Sequence, residues 1–261
     1  MPVIDANGCP IDVEVTGPAD APVLMLSSSL GTTKHMWDPQ MAAFTADYRV
    51  VRYDRRGHGK SGVPKGPYSM EMLARDAVAI MDALKLDKVN WLGLSMGGME
   101  GMWLGAHAGN RIDKLILSNT SAHYPDPAPW NARIEAVSKA GSVAAVADAV
   151  INAWLTKNFQ TAHPDTTARM KEMMIATPVE GYLGCCAAVR DMDHREIIRS
   201  ITVPTLIIAG SKDPATNVAA AEFIRDRIAG SRLAIVDAAH IANVEVPEVY
   251  AKEVLGFLRT R

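Results

Sequence analysis

Three residues able to support nucleophilic catalysis, Ser95, Asp213 and His240, occur in this chain in a telling order and at one kind of place. Ser95 is the centre of Gly93-Leu94-Ser95-Met96-Gly97, a GxSxG pattern that follows the apolar run 89–92 and leads into an apparent helix over 96–108. Small residues on either side let a serine occupy a sharp strand-to-helix turn with its hydroxyl exposed. A serine hydroxyl is a weak nucleophile, so it needs a base to take its proton and an acid to orient that base. Asp213 follows the strand-like segment 204–209, and His240 follows the strand-like segment 232–236. Both therefore fall just beyond the carboxyl end of a strand, where chemistry collects in open α/β sheets. The expected roles are Ser95 as nucleophile, His240 as general base and then general acid, and Asp213 as the group that fixes the imidazole tautomer and stabilises the imidazolium.

Each residue has a plainer reading. GxSxG occurs by chance in turns, Asp213 could cap a helix beginning near Ala215, and His240 is one of seven histidines. Their joint order at strand ends favours the catalytic reading. Asn119 ends the apolar strand 115–117, at the other strand end from which such an acid can come, but an amide cannot serve as the carboxylate. Ser27-Ser28-Ser29-Leu30-Gly31 follows the strand 23–26 and is the expected oxyanion turn. There the main-chain N–H of Leu30, or of its neighbour Ser29, would act with that of Met96 on charge that develops only in the transition state. The run from Tyr53 to Ser61, YDRRGHGKS, packs Asp, His and Ser too closely to converge as a second triad. It reads as a turn tuned by glycine and held by charged hydrogen bonds, with His58 structural.

Positioning three strand-end residues requires a sheet with helices between its strands, and the chain supplies the alternation. Residues 11–16 alternate as a half-exposed strand, 23–26 and 50–53 read as buried strands, and helical spacing runs through Leu73, Ala77, Ile80, Met81 and Leu84 after an N-cap at Ser69. This predicts an α/β fold with a mostly parallel central sheet flanked by helices. Between about 121 and 200 the pattern changes to closely spaced prolines and short amphipathic helices. That block is expected to be a helical cap inserted between strands 6 and 7, so that 1–120 and 201–261 form the core domain and 121–200 the cap.

With 261 residues, 48% of them hydrophobic and 21% charged, the chain is long enough for such a core. A net charge of −2 gives no footprint for nucleic acid, and no apolar run approaches a membrane span. The first residues lack the pattern of a secretory signal, and three cysteines, two of them adjacent, suit neither a disulfide framework nor a spaced zinc site. The expectation is a cytoplasmic protein with no metal and no membrane partner. Oligomeric state is not legible.

GLSMGG around Ser95, DRRGHGKS at 54–61, GSKDPAT around Asp213 and DAAHIANVEVPE at 237–248 resemble the α/β-hydrolase superfamily over nearly the whole chain. SSSLGTTKHMWDPQ at 27–40 and the cap segment ATPVEGYLGCCAAVRDMDHRE at 176–196 look more narrowly like the 3-oxoadipate enol-lactonases of the β-ketoadipate pathway. Ser28 stands where many such hydrolases carry the histidine of a His-Gly turn, which leaves the hydrogen bonds supporting the oxyanion turn unassigned. The resemblance implies a small anionic lactone bearing a carboxymethyl arm, opened by water through an acyl-enzyme with no cofactor. A carboxylated substrate calls for a cationic group in the cap. Arg133 near Trp130, and Arg190, are the candidates because guanidinium pairs bidentately with carboxylate, although a solvated surface arginine is the plainer reading of each. Trp154, Met173, Met174 and Tyr182 are candidates for the pocket wall or for plain core. A general carboxylesterase, a carbon–carbon hydrolase of ring-cleavage products and a cofactor-free haloperoxidase share the same triad, and only cap chemistry separates them. A ligand-binding module on a dead hydrolase fold is disfavoured by the intact Ser, Asp and His set.

Overall fold

The computed structural model describes residues 3–260 and arranges them around one eight-stranded sheet. Its strands are β1 (Val3–Ala6), β2 (Cys9–Thr16), β3 (Val23–Ser27), β4 (Arg49–Tyr53), β5 (Val89–Leu94), β6 (Ile112–Ser118), β7 (Thr205–Gly210) and β8 (Arg232–Val236). They lie in the order β1-β2-β4-β3-β5-β6-β7-β8, with β1 and β2 antiparallel to their neighbours and every pairing from β4 onward parallel. The expected α/β architecture is therefore the observed one. The four-residue strand β1 was too short to register as a periodic run in the sequence.

Core helices α1 (Asp38–Phe44), α2 (Met70–Ala83) and α3 (Met96–His107) connect the first six strands. Ser69 caps α2 by accepting from the Met72 amide, as its position predicted. Because side chains alternate along a strand, Leu24 and Leu26 enter the core on one face of the sheet and Met25 the core on the other. Five helices follow β6: α4 (Ala128–Ala140), α5 (Ala144–Trp154), α6 (Lys157–Ala162), α7 (Pro164–Ile175) and α8 (Val179–Asp191). After β7 come α9 (Val218–Arg225), α10 (Ala242–Glu245) and α11 (Pro247–Leu258). The helix expected near Ala215 thus starts three residues later, capped by Asn217, because the intervening amides are turned toward Asp213.

The turn after β4 is built from charges. Asp54 accepts from the Lys34 and Lys60 amides at 2.8 and 3.0 Å, Arg56 is bidentate to Asp76 at 2.5 and 2.6 Å, and Arg55 pairs with Glu100 of α3 at 2.9 Å. Gly57 in this turn has φ +77°, and a Cβ on it would overlap the main chain of Gly181 in α8. The converse also holds, so α8 rests backbone against backbone on the core. Among the described residues no helix is long and apolar enough to cross a membrane.

Candidate active site

The carboxyl ends of β3, β5, β6, β7 and β8 point to one edge of the sheet, and the loops that follow β5, β7 and β8 carry Ser95, Asp213 and His240. Ser95 sits between β5 and α3 at φ 57° and ψ −114°, a conformation that costs a non-glycine residue about 1–3 kcal/mol. The surroundings hold it there. Its N–H donates to Ser118 O at 2.8 Å, and its carbonyl accepts from Thr120 Oγ1 at 2.7 Å and from the Gly98 and Met99 amides. The flanking glycines are required by close approach: a Cβ on Gly93 would overlap Gly97 O, and one on Gly97 would overlap the main chain of Ser27 in β3.

His240 Nε2 lies 2.9 Å from Ser95 Oγ, and His240 Nδ1 lies 2.8 Å from Asp213 Oδ2. The three side chains that the sequence placed at separate strand ends therefore form one continuous relay. Asp213 Oδ1 accepts from the Ala215 and Thr216 amides at 2.8 and 2.9 Å, while Oδ2 also accepts from Thr216 Oγ1 at 2.7 Å and Asn119 Nδ2 at 3.2 Å. Burial alone would raise the pKa of this carboxyl. The charge and hydrogen bond of His240, with those from Thr216, outweigh it and bring the group down to about 2. Asp213 is thus a carboxylate at any pH near neutrality.

Asn119 and Thr216 are the site residues whose parts sequence reasoning did not supply. Asn119 has a left-handed φ of 45° and ties Asp213 to the carbonyl of Ala239, just before the histidine. An amide that cannot be the acid thus serves as a donor to it. The Thr216 signal was its spacing, three residues after Asp213.

The main-chain N–H groups of Leu30 and Met96 donate to no acceptor among the described residues. Met96 opens α3, so its amide is one of the first-turn donors that a helix leaves free. Leu30 lines the cavity beside Ser95. His58 accepts from the Gly31 amide at Nε2, 2.9 Å away, and its Nδ1 faces Arg56 O at 3.3 Å, so the neutral tautomer carries the proton on Nδ1. Burial, reinforced by the Arg55 charge, lowers its pKa to about 3. An unfolded histidine protonates near 6.5, so the unfolded chain binds the extra proton between those values. Stability from neutral His58 is complete above that range and is lost as pH falls through it. His58→Gln, which keeps an acceptor for Gly31, is expected to flatten the loss of stability between pH 6.5 and 4 by up to about 1.4 kcal/mol per pH unit. Urea denaturation of both proteins across that range checks it, and parallel curves would refute it.

A cavity of about 310 Å³ opens from Ser95 and His240 into the helices that follow β6. Leu30, Val150, Ala153 and Trp154 give it an apolar wall, and Tyr124, Asp126, Tyr182 and Arg133 give it polar points. Trp130 also lines it and stacks under the Arg133 guanidinium, 4.7 Å from its ring centre. No carboxylate of the described residues pairs with Arg133. Of the other residues proposed for substrate, Arg190 lies elsewhere: its guanidinium is bidentate to Asp191 at 2.7 and 2.8 Å, donates to Asn131, and does not line the cavity. Met173 and Met174 also lie outside the lining; Met174 is core, and Met173 takes the Thr33 amide at its sulfur.

Known proteins share this fold. A family model for the alpha/beta hydrolase fold matches residues 22–247. The chain is 36% identical over 258 residues to 3-oxoadipate enol-lactonase 1 of Acinetobacter baylyi, covering 99% of this chain and 96% of that protein. It is 30% identical to a putative carbamate hydrolase of Rhizobium rhizogenes over 93% of this chain and 94% of that protein. The crystal structure of the enol-lactonase from Burkholderia xenovorans LB400 superposes with a TM-score of 0.97 at 38% identity, covering 99% of this chain and all of that one.

Proposed function

The chain belongs to the α/β-hydrolase family, and from that premise we propose that it is a serine hydrolase opening 3-oxoadipate enol-lactone to 3-oxoadipate, a step of aromatic catabolism. The observation that carries the reading is the relay of Ser95, His240 and Asp213 opening into a small, mostly apolar cavity whose one guanidinium, Arg133, has no carboxylate partner among the described residues. Such a cavity suits a compact ring with a single anionic arm.

In the reaction, Ser95 Oγ attacks the ring carbonyl carbon as its proton passes to His240 Nε2. The oxygen that becomes negative is met by the N–H groups of Leu30 and Met96. The ring C–O bond then breaks, and the ring oxygen leaves as an enol with the proton returned by His240; the enol tautomerises to the ketone. Water next attacks the acyl carbon, gives its proton to His240, and releases the second carboxylate as Ser95 recovers its own. Asp213 stays ionised throughout and keeps Nε2 directed at Ser95. Residues 121–200 act as the cap that supplies specificity.

Spectrophotometric loss of the enol-lactone, run beside hydrolysis of p-nitrophenyl acetate, tests the assignment. The lactone is expected to give the far higher kcat/KM; comparable values would point to a general carboxylesterase. Arg133→Met is expected to cost about 1.5–3 kcal/mol for the lactone, the scale of a hydrogen bond to a charged group, or about ten- to a hundredfold in kcat/KM. The uncharged aryl ester, with no carboxylate for Arg133 to hold, should be little affected, whereas a misfolded cap would harm both substrates alike. Arg190→Met, with its guanidinium engaged by Asp191, should leave both unchanged. An Arg133 variant that loses no discrimination would move the carboxylate to another part of the cavity.

A further inference from the structure

The oxyanion turn has no histidine at Ser28, yet its main chain is gripped from one side by a buried cation. Arg55 Nη2 donates to Ser28 O at 2.7 Å and to Ser27 Oγ at 3.0 Å, and Nη1 donates to Ser29 O at 3.0 Å. The carbonyl of Ser29 and the N–H of Leu30 belong to one planar peptide unit, so whatever fixes the carbonyl also fixes the direction of the N–H. A charged donor on that carbonyl also polarises the unit, which strengthens its N–H as a donor. The next unit is fixed from its other end, by the Gly31 amide donating to His58. The far side of the same guanidinium meets Glu100, with Nε and Nη2 at 3.1 and 2.9 Å from Oε1. Glu100 lies one turn beyond Met96 on α3, is fully buried, and also accepts from Ser27 Oγ at 2.5 Å and Tyr53 Oη at 3.2 Å. One ion pair therefore spans the two segments, the β3 turn and α3, that carry the free amides of Leu30 and Met96.

We propose that Arg55 is a positioning residue of the oxyanion hole: through Ser29 O, which also accepts from Thr32 Oγ1 at 2.8 Å, it aims and strengthens the Leu30 N–H, and through Glu100 it holds that donor in register with Met96. The proposal deepens the hydrolase reading and rests on it, but not on the lactone. It also gives the DRRGHG segment a task beyond turn formation. The buried pair is otherwise hard to account for, because an apolar pair of similar volume often stabilises a protein as well or better.

The test uses p-nitrophenyl acetate and an arylboronic acid that forms a tetrahedral adduct on Ser95, so a wrong lactone assignment leaves it intact. Arg55→Lys keeps a positive charge beside Glu100 but cannot span both carbonyls. The expected result is a kcat/KM lower by about ten- to a hundredfold, below the effect of deleting an oxyanion donor outright. Boronate affinity should fall by the same factor, with KM within about twofold and the thermal midpoint nearly unchanged. If Arg55→Lys does not fold, the double variant Arg55→Met/Glu100→Met, which removes both buried charges together, is read in the same way. A folded variant that keeps both kcat/KM and boronate affinity overturns the proposal. So does one in which kcat/KM falls while boronate affinity holds, because the loss would then lie outside oxyanion stabilisation.

Discussion

Ser95→Ala is expected to fold as the native protein does and to lose about 10⁴-fold or more in kcat. Folding should survive because Ser95 is held by its backbone, through Ser118 O, Thr120 Oγ1 and the first amides of α3, and its side chain makes only the bond to His240. Activity should not survive, because no other hydroxyl lies within reach of His240 Nε2 among the described residues. What remains is the contribution of oxyanion donors and binding. Steady-state rates on the lactone and the aryl ester, with circular dichroism as the folding control, decide the matter. Activity within tenfold of wild type would remove Ser95 as nucleophile, and failure of a fluorophosphonate to label the wild-type serine would do the same.

Asp213→Asn is the second large effect, with kcat expected to fall about 10³- to 10⁴-fold while KM changes little. The amide keeps nearly the shape of the carboxylate but has one acceptor where Asp213 uses two. Oδ1 serves two main-chain amides and Oδ2 serves His240, Thr216 and Asn119. An NH₂ at the second position would face donors, and His240 would be driven to the tautomer with its proton on Nε2, useless as a base toward Ser95. A kcat near normal would show that the relay ends at His240, and attention would turn to the other groups around Oδ2.

The alternation of strands and helices, the elbow and the strand ends bearing Asp213 and His240 were legible because each is a local pattern: periodicity, small residues, a polar residue after an apolar run. The cavity was legible only in part. Trp130, Arg133, Trp154 and Tyr182 face it, whereas Arg190, equally basic and equally placed on a helix between β6 and β7, is taken by its own neighbour Asp191. Which face of a helix meets a cavity depends on packing against other helices, and a charged residue is consistent with either outcome. Arg55 was hidden for a related reason. Its partners Ser28, Ser29 and Glu100 are 26 to 45 positions away, and the charge pattern DRRGHG announces a turn without saying what the turn holds.

The contact between Gly57 and Gly181 sets a limit on how this protein can be recombined. A boundary drawn by chain order would treat 121–200 as a cassette, to be exchanged for the corresponding block of a relative with another specificity. Yet the seat on which α8 rests belongs to the turn that also carries Arg55 and His58, and neither glycine tolerates a Cβ against its mate. A donor block bearing alanine or serine at 181 would push that turn away from α8, and with it the bonds to Ser29 O and the Gly31 amide. The loss would fall on rate for every substrate, not on selectivity. Productive chimaeras are those that match position 181 to position 57, so the inheritable unit of specificity includes a residue of the scaffold beneath it.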